Sequence, residues 1–168
     1  TTRDWAPRCG VNRRVNACAA YFYDNAARQY DRLTGDDLSL AKRLSDWKHK
    51  LHDHFGHIRI ESVSDNMDGD GHGAQVGKTI RVEAAVDLGH LTPEDVLVEL
   101  YFGSLDEDGQ LNAGKAVEMT QVGEDNRPAR YVVEMPCPSS GRAGYTVRIL
   151  PTHEALSHPI EMSMIKWA

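Results

Sequence analysis

Between residues 49 and 57 the chain gathers His49, His52, Asp53, His54 and His57, a local crowd of side chains able to ligate a metal or move a proton. His49 and Asp53 stand four residues apart, which places them on one face of a helix at the spacing of helical zinc ligands. No cysteine and no His-Glu-x-x-His accompanies them, and a histidine near the carboxyl end of a helix is favoured by the helix dipole. The cluster is therefore read as a helix end and no metal ligand is assigned.

Other near-motifs fail on the same kind of test. Gly73 to Thr79 nearly spells a phosphate-binding loop, but its first glycine is one residue too close to Gly77-Lys78, and Ile80 to Val86 alternates like a strand where the motif needs a helix. Asn66, Asp68, Asp70 and Gly71 imitate the start of a calcium loop, yet Gly77 occupies the position of the bidentate glutamate. Ser45-Asp-Trp-Lys48 has the Ser-x-x-Lys form without its companion motifs. Cys137, between two prolines, has no histidine partner that spacing establishes. Trp47 and Trp167 read as core or interface residues. No catalytic, cofactor-binding or metal residue follows from these patterns.

The elements that would position any site divide into two kinds. Val11, Val15, Cys18, Phe22, Ala26, Tyr30 and Leu33 recur in steps of three and four, the stripe of a helix. Gly35 suits its carboxyl-terminal turn, and Thr34 or Asp36 can cap a second helix. That helix carries Leu40, Leu44, Trp47, Leu51 and Phe55 and stops at Gly56. Residues 1–56 are thus expected to be a helical hairpin. From His57 onward the period is two, in seven candidate strands: 57–63, 77–87, 96–102, 115–122, 129–135, 144–150 and 159–167. Turn residues such as Asp106 to Gly109 separate them. The fold class expected is mainly β with the N-terminal hairpin, residues 57–168 forming a seven-stranded antiparallel immunoglobulin-like β-sandwich. Tyr145 opens a late strand after Gly144 and is expected to form a tyrosine corner, its hydroxyl bonded to backbone a few residues upstream. Arg148 is expected on the solvent side of that strand.

Composition bounds the partners. The chain has 168 residues, 40% of them apolar, and a formal net charge of −6, which disfavours nucleic acid and anionic membranes as partners. Cys9, Cys18 and Cys137 are odd in number and dispersed, as reduced thiols in a cytoplasmic protein would be. No apolar run reaches the ~18 residues of a membrane span. The chain opens on Thr1 rather than methionine, so it is expected to be a piece of a longer polypeptide.

A long ordered stretch at the end carries a resemblance. Ser140-Gly141-Arg142, Gly144-Tyr145-Thr146-Val147-Arg148, Leu150-Pro151, His153, His158-Pro159 and Trp167-Ala168 are similar to the carboxyl terminus of bacterial α-glucan (glycogen, maltodextrin) phosphorylases. Tyr21 to Ala27 resembles the family's helix around Tyr-Tyr-Leu-Pro-Ala-Ala, with Asp24 and Asn25 in place of the usual Leu and Pro, and Ala41, Leu44, Trp47 and Lys48 resemble the next helix. The resemblance implies a parent enzyme that transfers glucosyl units from α-1,4-glucan to phosphate, giving glucose 1-phosphate, with pyridoxal phosphate on a lysine. None of Lys42, Lys48, Lys50, Lys78, Lys115 and Lys166 lies in the family's Gly-Met-Lys motif, so no cofactor or catalytic residue is carried over. It further implies a non-catalytic accessory domain whose partners are the catalytic domains of the parent; a carbohydrate-binding β-sandwich module and an oligomerisation or docking module are the alternatives. Self-association through Tyr21, Phe22, Leu44 and Trp47 is the expectation for the isolated chain.

Overall fold

A computed structural model describes residues 24–66, 79–123, 127–136 and 142–168. The chain divides into two compact units, residues 1–47 and 48–168. The first half of the expected N-terminal helix, the near-motifs at 67–78 and all three cysteines lie outside the described residues.

In the first unit, α1 spans Asp24–Thr34 and α2 begins at Ser39, continuing to His54 in the second unit. Thr34 turns its hydroxyl back to the carbonyl of Tyr30 at 2.9 Å, so it closes α1 rather than capping α2. The Gly35 amide extends the same end to Asp31, and Asp37 and Leu38 take positive φ values of 54° and 63° as the chain reverses. Leu44 and Trp47 are buried, as the stripe of α2 requires. Tyr30, by contrast, is 67% exposed, so the stripe assigned to α1 is not a buried face at that position.

The second unit contains eight strands among the described residues: β1 (Arg59–Asp65), β2 (Thr79–Asp87), β3 (Val96–Leu105), β4 (Leu111–Glu118), β5 (Thr120–Val122), β6 (Ala129–Pro136), β7 (Ala143–Pro151) and β8 (Lys166–Trp167). They form two antiparallel sheets in the orders β1-β2-β6-β5 and β4-β3-β7-β8. Register decides the core. Ile80, Val82, Ala84 and Val86 lie opposite Met135, Val133, Tyr131 and Ala129, and all eight are buried. Val96, Val98 and Leu100 face Pro151, Ile149 and Val147 in the other sheet, again all buried. Alternating β-branched and aliphatic residues place one face of each sheet away from water, which is what the period of two requires.

Seven strands were expected and eight are described, because the alternation from Lys115 to Val122 belongs to two strands. Glu118 pairs with Glu99 in one sheet, while Thr120 pairs with Val132 in the other. Between them Met119 is 3% exposed and its amide donates to the Val98 carbonyl at 2.9 Å. The expected closing strand at 159–167 is also divided. Pro159 has no amide for a ladder, and a 3-10 turn forms at Pro159–Met162, with His158 Nδ1 accepting from the Ile160 amide at 3.2 Å; only Lys166–Trp167 pairs with β7. Asp106 to Gly109 is the hairpin turn read from the sequence, with Asp106 Oδ1 accepting from the amides of Asp108 and Gln110.

Candidate functional site

The histidine cluster does not assemble as its spacing proposed. His49 is exposed, and His52 pairs with the adjacent Asp53 at 3.7 Å on open surface. His54 instead lies 4.9 Å from His90 and 6.2 Å from His57, ring centre to ring centre. His90 comes from the turn after β2, and nothing near it in the sequence marks it as a neighbour. No group of three possible metal ligands forms among the described residues. Asn66 follows β1, its side-chain oxygen accepting from the Arg81 amide at 3.0 Å. Lys48 approaches Glu161 at 3.7 Å.

Two polar constructions do form in the second unit. The first is a row across the sheet that contains β3. Register sets Glu118, Glu99, Arg148 and Trp167 side by side on four successive strands, all on the face turned away from the core. Arg148 Nε donates to Glu99 Oε2 at 2.7 Å, and both side chains are largely covered, at 16% and 15% exposure. The Arg148 guanidinium carbon lies 5.1 Å from the Tyr101 ring centre and 5.8 Å from that of Trp167. The two rings meet edge to face at 5.6 Å. Tyr101 can lie there because Gly114, on the neighbouring strand, has no side chain: a Cβ would sit 2.2 Å from its ring. Charge-assisted bonding and cation–π attraction thus lock three side chains under a Trp167 that remains 46% exposed.

This corrects one expectation and bears on another. Arg148 faces outward but is not free in solvent; it is the hub of the row. The Tyr145 hydroxyl donates to Asp65 Oδ2 of β1, linking the two sheets; residues 137–141, a few places upstream where a tyrosine corner would find its backbone partner, lie outside the described residues. Sequence alternation marked the faces correctly, but the cross-strand neighbours depend on register that alternation does not carry.

The second construction fastens the end of α2 to the turn before β3. Asp95 is buried, and its Oδ2 accepts from Lys50 Nζ at 2.6 Å and from the amide and hydroxyl of Thr92, each at 2.8 Å. Burial alone would raise the Asp95 pKa, but the bonds from Lys50 and Thr92 outweigh it and hold the carboxyl below its ordinary value.

Relatives bear on what these two constructions belong to. The profile of the family described as "Glycogen phosphorylase C-terminal domain" matches residues 56–168. The chain belongs to that family. The glycogen phosphorylases of Mycobacterium bovis and Mycobacterium tuberculosis are each 28% identical to it over 169 residues, covering 100% of this chain. The maltodextrin phosphorylase of Thermococcus litoralis is 28% identical over 172 residues, covering 96%. The chain spans about 19% of the length of each of these curated relatives.

The cofactor implied by the resemblance can be tested against the described lysines of the chain. A Schiff base needs an amine within an enclosed site. Lys50 is bonded to Asp95, Lys48 is paired with Glu161, and Lys42 and Lys115 are exposed. These four side chains do not fit pyridoxal phosphate; Lys166 is half-buried on β8, and Lys78 lies outside the described residues. No described helix is long and apolar enough to cross a membrane.

Proposed function

We propose that this chain is the non-catalytic C-terminal accessory part of a cytoplasmic α-glucan phosphorylase, whose catalytic domains lie elsewhere in the parent and carry out pyridoxal phosphate-dependent phosphorolysis of α-1,4-glucan to glucose 1-phosphate. The observation that carries this reading is a family match over most of a chain that equals only 19% of its curated relatives. The start of the match at residue 56 supports a domain boundary there, with the preceding helices belonging to the catalytic body. The strand orders, with four strands in each sheet and a strand that changes sheet at Met119, support an immunoglobulin-like sandwich.

The exposed Trp167, braced by Arg148, Glu99 and Tyr101, is the part of the outward sheet face suited to docking on the rest of the parent. Aromatic residues and arginine dominate protein interface hot spots, because rigid rings and a planar guanidinium supply contact area at low entropic cost. The purified chain should release no glucose 1-phosphate from glycogen and phosphate, whereas the protein from the full reading frame should. Phosphate-dependent release by the 168-residue chain itself would overturn the accessory assignment.

A further inference from the structure

At one end of the first sheet, β2 stops at Asp87 and β6 starts at Ala129, which lies opposite Val86, while residues 91–93 turn the chain toward β3. These segments, with β5, line a cavity of about 250 Å³. Part of its lining is apolar and buried: Val86, Leu88, Leu91 and Ala129. The rest is polar and more open, and it comes from separate places: Asp87 at the end of β2, Gln121 on β5 and Arg127 just before β6.

The walls are set before any ligand arrives. Asp87 Oδ1 accepts from the Gly89 amide at 3.0 Å, and Gly89 takes a φ of 59°, a left-handed turn that glycine adopts without strain. On the other side, Thr92 is held by the same Asp95 oxygen that receives Lys50. A preformed site avoids the entropy cost of ordering its own loops on binding.

The polar groups select the ligand's chemistry. A carboxylate accepts hydrogen bonds, a guanidinium donates them and an amide does both. An anion would meet Asp87 and a cation would meet Arg127, whereas hydroxyl groups can serve all three side chains. The volume falls below the ~300–1,000 Å³ of sites for drug-sized ligands, so it admits one ring and not an oligomer. The buried aliphatic lining suits the C–H face of a sugar ring.

We propose that this cavity binds one pyranose ring of a neutral α-glucan, seated against the accessible edges of Leu88 and Leu91, with its hydroxyls on Asp87, Gln121 and Arg127. The ring chemistry follows from the cavity; the choice of α-glucan rests on the proposed phosphorylase reading.

The test is a titration of the isotope-labelled 168-residue chain with maltose, cellobiose and inorganic phosphate, followed by backbone amide shifts. Maltose should move the amides of Gly89, Leu91, Gln121 and Ala129 along saturating curves, and phosphate should not. Arg127→Ala, at an exposed position, and Gln121→Ala should each weaken maltose binding at least about tenfold, the loss of one or two hydrogen bonds, while leaving distant amides in place. Silence at these amides, an equal response to phosphate, a response to cellobiose but not maltose, or maltose shifts centred on Tyr101 and Trp167 would each overturn the proposal. The glucose 1-phosphate assay on the full protein does not involve this cavity, so a silent cavity leaves the phosphorylase reading standing.

Discussion

Tyr131 should be more useful to the protein as phenylalanine. It lies on the buried face of β6, opposite Ala84 of β2 and Gln121 of β5, and is 4% exposed. Its hydroxyl has no hydrogen-bond partner among the described residues. Burying an unpaired hydroxyl costs about 1–3 kcal/mol on mutational scales. Tyr131→Phe keeps the ring and removes the hydroxyl, so at pH 7 it should range from neutral to about 2 kcal/mol more stable. Alkaline pH supplies an independent reading of the same burial. Desolvation pushes the phenol up from 10.0 to about 12. Between these values the unfolded chain has lost the proton and the folded chain has kept it, so stability falls as pH rises. The loss sets in near pH 10 and reaches roughly 2 kcal/mol by pH 12. Phenylalanine cannot ionise, so the gap between variant and wild type should widen by about 1.4 kcal/mol at pH 11, while the other titrating groups, common to both proteins, cancel. The assay is urea unfolding of the two proteins side by side from pH 7 to 12. A cost above about 1 kcal/mol for Tyr131→Phe at pH 7 would mean that the hydroxyl is bonded, and a gap that stays constant to pH 12 would refute the burial argument.

The remaining predictions concern the two polar constructions. Asp95→Ala should destabilise by about 2–4 kcal/mol, below the full cost of breaking a buried ion pair because Lys50 is partly solvated, and urea midpoints would show it. Because the folded carboxyl is held below its ordinary value, its stabilisation is complete above the unfolded pKa of about 3.9 and disappears as pH falls through the lower folded one; Asp95→Asn should flatten that acid limb, and an unchanged limb would count against the bond to Lys50. Arg148→Ala should cost about 1–3 kcal/mol, and a double-mutant cycle with Glu99→Ala should give a coupling above about 0.5 kcal/mol; additivity of the two would show that the row is not an energetic unit.

The change of period after Gly56, most of the strand centres and the turn at Asp106 to Gly109 were legible because each reflects local backbone geometry. A strand alternates its side chains whether or not its partners are known, and a glycine or aspartate suits a tight turn in any fold. The likeness to phosphorylase carboxyl termini was legible too, since ordered identities such as Gly144-Tyr145-Thr146-Val147-Arg148 survive in one dimension. Only tertiary structure decided what lies between elements. Uninterrupted alternation through Met119 hid a change of sheet, because inward residues remain inward when the strand passes from one layer to the next. Arg148 looked like a solvent residue until register placed Glu99 and Trp167 on either side of it. Tyr145 found Asp65, 80 residues away, and His54 found His90 from beyond β1 and β2. The cavity depends on β2, β5 and β6 ending at one level. Periodicity records which way a side chain faces; which side chain it meets is set by strand order and register, and these are properties of the folded chain.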